Sequence, residues 1–171
     1  MLDLFKKRSA DPAPETGNGA AGSHRAKPTL GIALGGGAAR GFAHIGIMRA
    51  LLARGIVPDV VVGTSMGAVV GGCYVAGKLD DLEDWALSLQ KRNLLGYLDF
   101  SFSGSGLIEG GKLSAQLNQS LGDTTIDDLP VKFAAIATEV ATGHEIWLTH
   151  GRLVEAIRAS YALPGIFSPV N

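Results

Sequence analysis

The sequence predicts an α/β domain with a mostly parallel central sheet, and three observations carry that prediction. Short, fully apolar runs that suit buried strands alternate with longer stretches whose apolar residues recur at helical spacing. Glycine-rich turns stand where an apparent strand hands over to an apparent helix, at Gly35-Gly36-Gly37 and again at Gly63-Thr64-Ser65-Met66-Gly67. The composition is that of a folded core: of 171 residues, 46% are hydrophobic and only 18% charged.

Residues 1–28 hold three of the seven prolines and show no apolar period, so they read as a disordered tail ahead of a domain over 29–171. Lys6, Lys7 and Arg8 follow Leu2, Leu4 and Phe5 instead of preceding an apolar run, the wrong order for a secretory signal. Thr29–Leu34 reads as a buried strand, and Phe42–Ala53 as a helix with Ile45, Met48, Leu51 and Leu52 on one face. Val60–Val62 is a second apolar strand. Met66–Ala76 is apolar on every side, which suits a helix in the middle of a domain. Leu79–Gln90 reads as a surface helix whose Asp80, Asp81, Glu83 and Asp84 suit the positive end of the helix dipole, and a solvated face accounts for that charge run.

Residues 93–110 lack a period and read as a long loop beside the site, followed by a helix over Gly111–Leu121. Val131–Val140 is a strand that pairs with Glu145–Thr149 across the Ala141–His144 turn, and Leu153–Ser160 is a helix. The sequence then runs into Leu163–Asn171, with two prolines, no cap and no closing strand. The expectation is a domain truncated at its C-terminus.

Several function classes fall away. A net charge of −1 offers no electrostatic basis for nucleic acid. The single Cys73 rules out an intrachain disulfide framework, lacks a His/Asp cluster for a metal, and reads as a small buried residue. No uninterrupted apolar run reaches the roughly 18 residues of a membrane span, so the expected location is cytoplasmic.

The chemistry concentrates in Gly63-Thr64-Ser65-Met66-Gly67, a G-x-S-x-G placed directly after an apolar strand and before an apolar helix. A sharp strand-to-helix turn brings backbones together and leaves no room for side chains beside the serine, hence Gly63 and Gly67 on either side of Ser65. At a helix N-terminus the dipole favours developing negative charge, which makes Ser65 the candidate nucleophile.

Gly35-Gly36-Gly37 needs its own explanation. Bare backbone after a strand points N–H groups at an anion, either a phosphate or the oxyanion of an acyl-transfer transition state. A phosphate loop requires Gly-Lys-Ser/Thr, and the chain has Arg40-Gly41-Phe42. A dinucleotide fingerprint counted from Gly35 meets Arg40 where its third glycine belongs, and Asp59 precedes the second strand where it should follow. A glycine loop after one strand and a serine elbow after the next set an oxyanion hole against a nucleophile. Only one strand precedes the strand that leads into Ser65, which does not fit the α/β-hydrolase topology. Of the four histidines, His44 lies nearest the loop and reads as a packing residue.

Gly36-Gly37-Ala38-Ala39-Arg40-Gly41, the G-x-S-x-G about 25 residues later and the late stretch Ser160-Tyr161-Ala162-Leu163-Pro164 together resemble the patatin-like phospholipases, in particular short bacterial members related to neuropathy target esterase. The resemblance covers residues 29–171. It implies a three-layer α/β/α fold and a lipid acyl hydrolase that needs no cofactor or metal. The implied substrate is a lipid ester or phospholipid, met through peripheral contact with the inner face of the membrane. In the implied site Ser65 is the nucleophile, Gly36, Gly37, Ala38, Arg40 and Gly41 form the oxyanion loop, and Gly63 and Gly67 flank the elbow. Arg40 braces that loop or meets a lipid phosphate.

The family often has glycine where this chain has Ala38, and alanine resists a positive φ. The family's base is an aspartate in an Asp-Gly-Gly/Ala motif soon after a segment like Ser168-Pro169-Val170, and no Asp-Gly dipeptide occurs in this sequence. Asp59, Asp99, Asp123, Asp127 and Asp128 lie in turns or caps without that context, so the base is expected beyond Asn171. The competing reading is a non-catalytic patatin-fold fragment or binding module without that aspartate.

Overall fold

A computed structural model describes residues 28–92, 106–163, 167, 169 and 170. Residues 1–27 of the expected tail over 1–28, and 93–105 of the expected loop over 93–110, lie outside the described residues. The strands are β1 (Gly31–Leu34), β2 (Val60–Thr64), β3 (Lys132–Thr138) and β4 (Glu145–Leu148). The α-helices are α1 (Ala43–Leu52), α2 (Met66–Val75), α3 (Leu79–Arg92), α4 (Gly106–Leu121) and α5 (Leu153–Tyr161). Short 3₁₀ segments at Ala38–Phe42 and Ile126–Asp128 precede α1 and β3.

The sheet runs in the order β1-β2-β3-β4. β1, β2 and β3 are mutually parallel, in register Leu34 to Gly63 and Gly63 to Ala135, while β4 returns antiparallel to β3. This is the mostly parallel α/β arrangement that the alternation of runs predicts. A parallel register also aligns the carboxyl ends of β1 and β2, so the turns that leave them are neighbours.

The core forms where α2 and α5 cover one face of the sheet. Leu34, Val61, Phe133 and Ala135 project from that face and are buried against Val69, Val70, Leu153 and Ile157. Every residue of α2 except Tyr74 is buried, as its all-round apolarity requires. Its glycines weaken it as an isolated helix, but they let neighbours close in: a Cβ at Gly72 would lie 2.5 Å from the Ile157 side chain. Cys73 lies in the last turn of this helix, and burial pushes its thiol pKa up to about 12, so it packs as a small apolar group. On the opposite face Val60, Val62 and Ile136 are half-buried, and Ala33 and Trp147 are exposed.

Two expectations need correction. α4 begins at Gly106, so the aperiodic stretch assigned to a loop through residue 110 enters a helix earlier than its mixed composition suggests. The acidic front of α3 does more than meet solvent: the Arg49 guanidinium on α1 donates to Asp80 and to Glu83, the latter at 2.8 Å, and both carboxylates hold its pKa above the usual value. Such exposed pairs contribute about 0–1 kcal/mol, so they orient α1 against α3 more than they stabilise the domain. Phe42 packs beside Trp85 of α3 with ring centroids 6.2 Å apart, a contact between the first 3₁₀ segment and the same helix.

Candidate active site

At the carboxyl end of β2 the chain turns from strand to helix within one residue. Ser65 has φ 54° and ψ −120°, a conformation L-residues rarely adopt, and its carbonyl accepts the first helical bonds of α2, from Ala68 at 2.9 Å and Val69 at 3.1 Å. The flanking glycines are dictated by space. A Cβ on Gly63 would come within 2.4 Å of the Gly67 carbonyl oxygen, and a Cβ on Gly67 within 2.0 Å of the Leu34 carbonyl oxygen. The second clash shows what the tight turn achieves: it seats the start of α2 directly on the end of β1, where the glycine loop begins.

That loop, Gly35–Gly37, is exposed and lies beside the serine. A Cβ at Gly36 would lie 3.6 Å from the Ser65 Cβ, and a Cβ at Gly41 would lie 2.5 Å from Met66 Cβ. Gly37 takes φ 147°, and Ala38 follows at φ 48°, so the chain turns with two successive positive-φ residues before the 3₁₀ segment opens. Alanine therefore occupies the left-handed conformation that favours glycine, at a cost of about 1–2 kcal/mol.

The loop is held by His44, whose Nε2 lies 2.9 Å from the Gly35 carbonyl oxygen. Because a carbonyl can only accept, Nε2 is the donor, and Nδ1 is buried without a hydrogen-bond partner among the described residues. His44 thus anchors the loop as a packing residue, the role its position in the first turn of α1 suggested. Arg40, by contrast, is exposed, and among the described residues its side chain makes no hydrogen bond or ion pair, so the brace expected of it comes from His44.

The serine elbow has a support that sequence reading missed. The Ser65 N–H donates to Ser160 Oγ at 2.8 Å, and that hydroxyl donates in turn to the Ile136 carbonyl at 2.6 Å. Ser160 lies near the end of α5, 95 residues along the chain, inside a stretch singled out only for its resemblance to a family. No local signal marks it, because a serine near the end of a helix has the same neighbours whether or not its hydroxyl meets another element.

Among the described residues no carboxylate or histidine hydrogen-bonds the Ser65 hydroxyl. The aspartates set aside in the sequence are occupied elsewhere. Asp59, at the opposite end of β2 and about 20 Å from Ser65 along the strand, accepts the Leu30 N–H at 2.8 Å. Asp127 accepts from His150 at 2.6 Å and from the Gly151 N–H at 3.0 Å, and these bonds hold its carboxyl below the usual range. Asp123 pairs with Arg152 at 3.1 Å, Asp128 accepts from Thr125 at 2.6 Å, and Asp99 lies outside the described residues. No cluster of His, Cys, Asp and Glu able to hold a metal occurs among the described residues.

A family model described as patatin-like phospholipase matches residues 32–171. An uncharacterized NTE family protein of Mycobacterium tuberculosis is 43% identical over 142 residues, which cover 83% of this chain and 39% of that protein. The neuropathy target esterase sws of Drosophila grimshawi is 31% identical over 148 residues, 83% of this chain and 10% of its own length. The chain therefore spans well under half the length of these relatives. Among solved structures, VipD from Legionella pneumophila is similar with a TM-score of 0.55 at 16% identity, over 82% of this chain and 43% of VipD. At that identity the likeness is one of fold.

Proposed function

This chain belongs to the patatin-like phospholipase family, and from that premise we propose that it carries the nucleophile and oxyanion loop of a serine acyl hydrolase acting on lipid esters. One observation carries the reading: Ser65, in a strained strand-to-helix turn, lies against a glycine loop whose backbone turns through two positive φ values. Ser65 Oγ attacks the ester carbonyl as its proton passes to an aspartate outside the described residues. The N–H groups around Gly37 and Ala38 receive the oxyanion, a contribution worth about 3–4 kcal/mol per donor. Collapse expels the alcohol, and water then releases the acyl group from Ser65 by the same route.

The hydrolase domain begins near residue 29, and its substrate is a lipid ester met at a membrane surface. Among the described residues no helix is long and apolar enough to cross a membrane. A fluorophosphonate probe applied to the complete protein tests the assignment. It is expected to label Ser65 alone, and labelling that survives Ser65→Ala would refute it.

A second reading, a non-catalytic binding module, draws support from one observation: no described carboxylate reaches Ser65. Hydrolysis of a short-chain nitrophenyl ester separates the two, because serine without a base retains only the residual catalysis of binding and oxyanion contacts.

A further inference from the structure

The two hydrogen bonds of Ser160 point to a positioning role: we propose that Ser160 locks the Ser65 elbow into its strained conformation and so sets the reactivity of the nucleophile. β2 and β3 are paired through Thr64 and Ile136, the last register of that ladder. Just beyond it, the turn at Ser65 carries the Ser65 N–H out of the sheet, and both that donor and the Ile136 carbonyl need another partner. One hydroxyl serves both. Ser160 Oγ accepts the Ser65 N–H at 2.8 Å and donates to the Ile136 oxygen at 2.6 Å, so the interrupted ladder is closed through a single oxygen atom.

The arrangement has a direction. A serine in a helix ordinarily has its own chain's carbonyl, one turn back, within reach of its hydroxyl. Ser160 bonds instead to two other elements, while α5 is fixed against α2 by Ile157 beside Gly72. A backbone at φ 54° and ψ −120° persists only where its surroundings over-determine it. Gly63 and Gly67 permit this conformation by leaving room, whereas Ser160 is the polar contact that holds it. Removing the hydroxyl leaves the Ser65 N–H and the Ile136 carbonyl without that partner, and the turn can relax, carrying Oγ away from the oxyanion loop. A displacement of that kind lowers kcat and leaves substrate affinity unchanged.

This inference rests on the hydrolase reading for its kinetic part, so the experiment includes a measurement that does not. In the complete protein, Ser160→Ala is expected to react with a fluorophosphonate at Ser65 about tenfold more slowly and to lose kcat on a nitrophenyl ester by a similar factor, with KM within about twofold. Ser160→Thr, which keeps a hydroxyl, is expected to restore most of the rate. Glu155→Gln, on the exposed side of the same helix, is expected to leave the rate as it is in the parent. Independently, hydrogen exchange at the Ser65 amide is expected to be at least tenfold faster in Ser160→Ala than in the parent. Should Ser160→Ala fail to fold, Ser160→Cys, with a weaker donor and acceptor, is expected to show the same split at smaller amplitude. Unchanged Ser65 exchange in a folded variant overturns the proposal, as does a uniform loss that Ser160→Thr fails to rescue. If the parent protein is not labelled at Ser65, the hydrolase reading fails, and amide exchange alone decides the role of Ser160.

Discussion

The Ser65 elbow and the Gly35–Gly37 loop are both rich in glycine, stand side by side, and need that residue for opposite reasons. At the elbow the constraint is space: Gly63 and Gly67 are buried, and a Cβ on either would collide with backbone at 2.4 Å or less. In the loop there is room. No heavy atom lies within 4 Å of a Cβ at Gly35, and the nearest to one at Gly37 is 3.4 Å away. There the constraint is conformation, because Gly37 and Ala38 take positive φ. The elbow is therefore part of the core, and the loop is an exposed surface laid on it. Substitutions should separate the two, the first failing in stability and the second in rate.

The largest effect is expected at Gly67→Ala. Its Cβ meets the Leu34 and Gly35 carbonyls, which are backbone and cannot swing aside, so the whole β1–α2 contact must open. Destabilisation of about 3 kcal/mol or more is expected, read as a shift of the denaturant midpoint. Gly35→Ala, in open space, should move that midpoint by less than about 0.5 kcal/mol. Equal shifts would erase the distinction.

Next comes Gly37→Val. At φ 147° a β-branched residue is strained, and its relaxation turns the donor N–H away. The expected outcome is a kcat at least tenfold lower in a protein that still folds, since one oxyanion donor is worth about 10²–10³ in rate. Unchanged turnover in a folded variant would show that the loop serves packing alone.

A smaller effect is expected from His44. His44→Ala removes the contact to the Gly35 carbonyl, and one such bond contributes about 1 kcal/mol, so stability should fall by about that much and kcat several-fold as the loop loosens. His44→Gln, which can still donate from its amide, should recover part of the loss. Identical behaviour of the two variants would indicate that the ring acts by filling space.

The smallest is Ala38→Gly. Relief of the left-handed alanine at φ 48° is opposed by the added freedom of glycine in the unfolded chain, two contributions of about 1 kcal/mol each. Stability should stay within about 1 kcal/mol of the parent and activity should be retained. A large loss of rate would mean that the alanine side chain itself shapes the site.

What could be read from the residues alone was local. The strands and helices follow from the period of their apolar positions, and the elbow from a G-x-S-x-G between two of them, because steric exclusion around Ser65 is written into its immediate neighbours. Boundaries drifted where composition was ambiguous: α4 starts at Gly106, in a run with no period. Of the supports of the site, His44 was legible beside the loop, but contacts between distant segments were not. Ser160 meets Ser65 across 95 residues and Arg49 meets Glu83 across 34, and neither pairing leaves a trace in a short window.

The sequence by itself determined the element types, the parallel sheet and the identity of the candidate nucleophile, since these depend on periodicity and on the room beside each Cα. Only the tertiary structure decided which groups hold that nucleophile in place. A hydrogen bond between distant residues exists only once strand register and helix packing have brought donor and acceptor within about 3 Å of each other. The hydroxyl of Ser160 acquires its two partners when α5 docks on α2 and β3, and the ring of His44 acquires its own when α1 folds back over the loop.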